Sequence, residues 1–199
     1  MKIIWQYQWE RFDFSVYDDR PDFHFYEVKQ VHGKDIATTP LPREELVEAD
    51  GLLSLQEEPC HLAIKTADCL PVAFLGLKGC ANIHAGWRGL HAGILLDPSL
   101  KKLEPQKIII GPAIQRESYE VGEEFREYFS AYPQCLVKND QKLTFDLPGV
   151  CEIQLKRHYH GSEIINCNLD TFSNPELNSY RRNQTTRRNY NVLKVMRKK

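Results

Sequence analysis

Cys69 stands beside an aspartate in "TADCLP", and His84 stands in the glycine-rich turn of "NIHAGWRG". A third residue, His32 in "QVHGKD", repeats the arrangement: an apolar run ends, a side chain projects, and a small residue lets the backbone turn. Strand ends of this kind commonly supply site residues, because a rigid element carries the side chain to the rim of the fold. Two imidazoles and one thiol make the ligand set of a zinc site with three protein ligands and an open fourth position. The three lie too far apart along the chain for a compact zinc finger, so such a site is assembled by the tertiary fold. The same atoms also permit a nucleophile and base pair without metal, or structural residues with an inert buried thiol.

The other histidines and cysteines call for less. His158 and His160, in "KRHYH", fall at the polar end of a helix, where the macrodipole favours imidazolium. His24 lies in an alternating segment and His61 follows Cys60, so both read as structural. The six cysteines include no CxxC pair and no dense framework, and a chain of 199 residues needs no staples. They are expected to be reduced, and Cys80 to be a buried strand thiol.

Elements that could position the trio are short apolar runs bounded by Gly, Pro, Asp or Asn: "KIIWQYQ", "FHFYEVKQV", "GLLSL", "HLAIKT", "PVAFLGL", "CANIHA", "KIIIG" and "EIINCNL". All read as strands, and "YNVLKV" as a closing strand. "SYEVGEEFREYFSAY" presents a helical apolar face with Ser118 as its cap. "DLPGVCEIQLKRHYH" is a second helix, with Asp146 as cap and Pro148 in the first turn. Strands with helices on their outer faces define an α+β class containing parallel segments.

Length places residues 1–199 in a single domain. The 26 Lys+Arg balance 27 Asp+Glu, which leaves no global field to gather nucleic acid or an acidic membrane. "MKIIWQYQWE" is too short in apolar residues for a secretory signal, and no run approaches the about 20 apolar residues of a membrane helix. A cytoplasmic protein, monomer or homodimer, follows.

Taken in order, "KQVHGKDI", "ADGLLS", "TADCLP", "NIHAGWRGL", "GPAIQRESYEVG", "FDL", "NCNLDTF" and "SYRRNQTTRRN" resemble the laccase-domain proteins of the YfiH/LACC1 type, also described as polyphenol-oxidase-like proteins and as purine nucleoside phosphorylases. The resemblance runs from Gln30 to the C-terminus. It implies an α/β/β/α sandwich like that of the cytotoxic-necrotizing toxins, with a His-Cys-His zinc site onto which His32, Cys69 and His84 map. The activities it implies are phosphorolysis of adenosine, inosine, guanosine and methylthioadenosine, and adenosine deamination. Purine nucleosides and phosphate are then the small-molecule partners.

Under that resemblance, Asp68 is a general base or an orienting residue beside Cys69, while Arg88, Arg181 and Arg182 are candidates for the phosphate, whose oxygens guanidinium forks bind bidentately. Without it, Arg181 and Arg182 read as a solvated tail. Trp87 is a stacking surface for a purine or a packing anchor, and Glu120 is a site residue or the acidic first turn of its helix. The sequence departs from the family in three places: few residues precede "QVHG", Asn183 replaces an aspartate, and "TTRRN" replaces "TGRM". Other readings stay open. A copper phenol oxidase would need several coppers and more histidines than the trio supplies; removal of miscoded peptidoglycan precursors and a non-catalytic remnant are the others.

Overall fold

The computed structural model describes residues 1–42, 46–55 and 59–197; Lys198 and Lys199 of the basic C-terminal stretch lie outside them. The chain runs β1 (Ile3–Trp9), β2 (Phe12–Tyr17), β3 (Ile36–Thr38), β4 (Gly51–Ser54), β5 (Cys60–Thr66), β6 (Leu70–Gly76) and β7 (Cys80–Ala85). It continues through α1 (Trp87–Ala92), α2 (Pro98–Lys102), β8 (Pro105–Ile110), β9 (Glu120–Val121) and α3 (Phe125–Tyr128). It closes with β10 (Leu136–Asn139), β11 (Lys142–Phe145), α4 (Leu147–His158), β12 (Glu163–Asn166), α5 (Tyr180–Asn183) and β13 (Asn189–Val195).

Two sheets face each other. One has the order β1-β2-β13-β5 and is antiparallel throughout. The other has the order β12-β8-β6-β7-β4-β3, with parallel pairs at its two ends and antiparallel pairs between. Strand alternation decides what each face carries. Phe12, Phe14 and Val16 of β2, Leu62 and Ile64 of β5, and Leu193 and Val195 of β13 meet Ala73, Leu75 and Ile109 of the second sheet. The opposite residues of that second sheet, Val72, Phe74, Ile108 and Ile110, pack under Leu90, Ile94, Leu100, Val150 and Leu155. Buried on both faces, β6 and β8 therefore read as continuous apolar runs rather than as alternating ones. This is the expected α+β sandwich; the outer face of the four-stranded sheet is covered by Phe23 and Phe25 against Tyr17, Ala63 and Val192.

Four local expectations change. "FHFYEVKQV" does not form a strand. Its main chain bridges β5 at Tyr26, by Tyr26 N to His61 O at 2.8 Å and Ala63 N to Tyr26 O at 2.9 Å, while its phenylalanines turn down to cap the sheet. "RFDFSVY", unassigned from the pattern, contains β2, in which Asp13 and Ser15 alternate with Phe12, Phe14 and Val16 and every residue is buried. The long helix expected over 118–132 shrinks to α3, since Glu120 and Val121 pair with β11 and Gly122 interrupts the run. Ser118 caps nothing there; its hydroxyl donates to Asp170 at 2.7 Å. "EIINCNL" is a strand only as far as Asn166. The helix over "DLPGVCEIQLKRH" forms as read, with Asp146 accepting from Gly149 N at 2.8 Å and Pro148 in the first turn.

The second sheet sets the site. Leu70 opposes Ala85 and Pro71 opposes His84 in the β6–β7 ladder, so Cys69, just before β6, emerges beside His84, near the end of β7. Gly51 opposes Ile83, which brings Asp50 to the same edge, where its carbonyl accepts from His84 N at 2.7 Å.

Candidate metal centre

Asp50 is fully buried, and its carboxylate organises the trio. It accepts from the main-chain N–H groups of Val31, His32 and Gly33 at 3.3, 2.9 and 2.6 Å and from His84 Nδ1 at 2.8 Å. His32 has a left-handed backbone, φ 61°, a strained conformation for a side chain of its size. Charge-assisted bonds to its own N–H and to both neighbours offset that strain. The carboxylate can only accept, so His84 Nδ1 carries a proton and Nε2 is the nitrogen left for a metal once its own proton is displaced. A histidine held through one nitrogen by a carboxylate is the arrangement that orients metal-binding imidazoles.

The ligand atoms of His32, Cys69 and His84 all lie within 4.8 Å of one another, and the two imidazole rings meet edge to face at 4.8 Å. Burial would push the Cys69 thiol up, but His32 and His84 beside it outweigh that and bring it down to about 6. Burial likewise works against the His84 imidazolium, yet Asp50 and Cys69 raise it to about 9. Without a cation the pocket thus favours a thiolate facing an imidazolium, and a divalent cation can take the place of that proton. Gly86 lies against the cluster: a Cβ there would sit 3.1 Å from Cys69 Sγ and 3.7 Å from the His32 ring. The donors fit a divalent metal that accepts nitrogen and sulfur. Among the described residues this is the one such group of three or more His, Cys, Asp or Glu side chains.

The trio opens into a cavity of about 730 Å³. Among the described residues its lining includes five cationic side chains, Lys29, Lys65, Arg88, Arg181 and Arg188, and a single carboxylate, Asp68. Asp68 lies in the turn before β6 with φ 96°, which allows it and Cys69 to line one cavity although neighbours in a strand would diverge. Its carboxylate is occupied, accepting from Thr171 Oγ1 and from Arg181 N, both at 2.7 Å. Tyr119 also lines the cavity, and burial, reinforced by the charge on Cys69, pushes its phenol up so that it keeps its proton.

Arg88 lies exposed with its guanidinium 4.4 Å from the centre of the Trp87 ring, which itself stacks on Tyr128 at 5.4 Å. Arg181 donates to Glu120 O at 2.9 Å and packs over Tyr119. Arg182 points elsewhere. Its guanidinium donates to the carbonyls of Thr171, Phe172, Asn174 and Leu177 at 2.5–3.0 Å, tying one loop together. Glu120 pairs with Lys142 at 2.9 Å on β11. The residues that carry no role in the sequence reading are Asp50, Tyr119 and Arg188. Asp50 offered one signal, its place directly before the strand "GLLS", the mirror of His84 near the end of β7; His32, by contrast, follows a segment that forms no strand.

A sandwich of mixed sheets with a His-Cys-His cluster where the central strands end defines a laccase-like class of domain. The chain belongs to the family described as multi-copper polyphenol oxidoreductase laccase, which it matches over residues 18–196. It is 33% identical over 176 residues to a Shigella flexneri protein named purine nucleoside phosphorylase YfiH, a match covering 81% of this chain and 70% of that one. It is 35% identical over 135 residues to a purine nucleoside phosphorylase of Aquifex aeolicus, covering 64% of this chain and 62% of the relative. The chain therefore spans a little under two thirds of the Aquifex protein. Among solved structures it resembles a Neisseria meningitidis protein, NMB0706, with TM-score 0.76, 25% identity and coverage of 85% and 74% of the two chains. It resembles YlmD from Geobacillus stearothermophilus with TM-score 0.73, 25% identity and coverage of 85% and 72%. No helix among the described residues is long and apolar enough to cross a membrane.

Proposed function

We propose that the protein is a zinc-dependent purine nucleoside phosphorylase, acting in the cytoplasm, where its six free cysteines suit a reducing compartment. The observation that carries this reading is the lining of the cavity: cationic side chains line it beside the metal cluster, and the one carboxylate in the lining among the described residues is already bonded to Thr171 and Arg181. A cavity of this polarity attracts an anionic co-substrate. Deamination of adenosine, the second activity the family suggests, needs a carboxylate to carry protons, and Asp68 is the described cavity carboxylate for it, though it already accepts from Thr171 and Arg181 N.

In phosphorolysis a phosphate oxygen attacks C1′ of the ribose as the bond to the base breaks, and the departing purine takes up a proton. Arg88 and Arg181 bind the phosphate oxygens, with Arg88 steadied by Trp87 and Arg181 by Tyr119 and Glu120 O. Trp87, already in contact with Tyr128 and Arg88, serves as their platform more than as a free stacking face. Tyr119, holding its proton, donates a hydrogen bond to the leaving base. Asp68 positions Arg181 through its main-chain N–H. Arg182 shapes the loop beneath without reaching substrate. Zn²⁺, held by His32, Cys69 and His84, supplies when bound a concentrated positive charge to polarise an oxygen of the substrate.

The test is base release from adenosine, inosine, guanosine and methylthioadenosine, with and without phosphate. Release only with phosphate, accompanied by ribose 1-phosphate, is expected. Cys69→Ala should abolish it, and Arg88→Ala should raise the KM for phosphate. Conversion of adenosine to inosine at a rate indifferent to phosphate would refute the proposal in favour of deamination.

A further inference from the structure

One phosphate does not account for the charge in this cavity. Among the described residues, Arg88, Arg181 and Arg188 line it without a carboxylate partner, whereas Lys29 pairs with Glu48 and Lys65 with Glu27. Arg88 and Arg181 stand together with Trp87 and Tyr119. Arg188 belongs to a different wall. It directly precedes β13, whose first residue, Asn189, pairs with Thr66 at the end of β5. Thr66 and Lys65, which pair with Asn189 and Tyr190 just after Arg188 in the β13–β5 ladder, and Thr186, two residues before it, also line the cavity.

That wall is built to receive an anion. Arg188 Nη1 donates to Thr185 O and Arg187 O, both at 2.9 Å, which fixes the guanidinium plane and leaves the rest of the fork along the cavity. Lys65 is held in place by Glu27 at 3.0 Å and by the Gln30 side-chain amide, which donates to Lys65 O and accepts from Lys65 N, both at 2.8 Å. A fixed fork, an ammonium and the Thr186 hydroxyl match the dianionic oxygens of a phosphate monoester. An uncharged ribose would use none of that charge.

We propose that Arg188, with Lys65 and Thr186, forms a second anion subsite, and that the site prefers purine nucleoside 5′-monophosphates to uncharged nucleosides. The inorganic phosphate occupies the wall of Arg88 and Arg181, and the sugar phosphate occupies the wall of Arg188. This rests on the phosphorolytic reading for the purine and the ribose, but its test does not require turnover.

The experiment is calorimetric titration of the zinc-loaded protein with adenosine and with adenosine 5′-monophosphate, without inorganic phosphate, at low and high salt. The monophosphate should bind about tenfold or more tightly than adenosine, as one or two charge-assisted hydrogen bonds imply. That advantage should shrink in high salt, disappear in Arg188→Gln and diminish in Lys65→Gln, with adenosine affinity unchanged in both variants. Equal affinity for the two ligands overturns the inference, as does an advantage that survives both substitutions. An advantage lost only in Arg88→Ala also overturns it, because the ligand would then be using the co-substrate position. Failure of phosphate-dependent base release refutes phosphorolysis and leaves the binding result standing, so the two readings fail separately.

Discussion

Replacing Asp50 with asparagine keeps the shape of the side chain and removes its charge and one acceptor. In the native protein Oδ1 serves His32 N and His84 Nδ1, while Oδ2 serves Gly33 N and Val31 N. An asparagine amide can satisfy only one of these pairs. If its NH2 faces the loop, Val31 and Gly33 lose their acceptor and meet a donor, and the left-handed turn that presents His32 loosens. If it faces His84, the ring can accept at Nδ1 only by moving its proton to Nε2, which removes the lone pair a metal would use. Each buried donor left unpaired costs about 1–3 kcal/mol, so two of them cost about 2–4 kcal/mol after partial relaxation. For a chain of this size that lowers the unfolding temperature by about 5–15 °C. Zinc affinity should fall about 10–100-fold, the usual penalty for losing the carboxylate behind a metal-bound histidine. Competition between the protein and a chelator of known zinc affinity reads the second number, and thermal unfolding with and without zinc reads the first. A folded Asp50→Asn protein with wild-type zinc affinity would refute the claim that Asp50 orients the ligands.

Three further outcomes follow from the same geometry. Gly86→Ala inserts a Cβ 3.1 Å from Cys69 Sγ, so chelator competition should show weakened zinc binding while the unfolding temperature of the zinc-free protein stays close to wild type. Arg182→Ala strips a guanidinium from four carbonyls and should lower stability by about 2–3 kcal/mol, measured by urea unfolding; an unchanged midpoint would show that those bonds contribute nothing net. Glu27, despite its burial, is held below the ordinary carboxylate range by hydrogen bonds from Arg20 and Lys65. A carboxylate depressed in the folded state stabilises it above the unfolded pKa, and that contribution is lost as the pH falls. Glu27→Gln should therefore cost about 1 kcal/mol at neutral pH and flatten the loss of stability on acidification, and equal acid limbs for the two proteins would contradict this.

Asp68 shows how a residue of the right chemical type acquires a different duty. Its position beside Cys69 suits a proton carrier, but it spends both oxygens on Thr171 and on Arg181 N, residues that are 103 and 113 positions away in the chain. It joins the strand-end cluster to the C-terminal loops that complete the cavity. Arg182, alike in type to Arg181 and adjacent to it, faces the loop while Arg181 faces the cavity, because the short α5 points successive side chains in different directions.

Local chemistry in the sequence determined the strands with strong apolar runs, the cap and proline at the start of α4, and the strand-end placement of Cys69 and His84, whereas His32 follows a segment that forms no strand. Each depends on near neighbours: alternation, a turn glycine, an Asp three residues before an N–H. Expectations failed where distant contacts outweighed the local pattern. The aromatic segment around Phe25 caps a sheet instead of joining it, and β11 draws Glu120 and Val121 out of a helical face. Only the tertiary structure decided that three donors from separate elements converge on one point. The carboxylate that holds them, Asp50, is 34 residues from the imidazole it orients, and the sheet register that joins the two arises from core packing across the whole β4–β7–β6 edge. The sequence could name the ligands by type; the register of two buried ladders is what turns them toward each other.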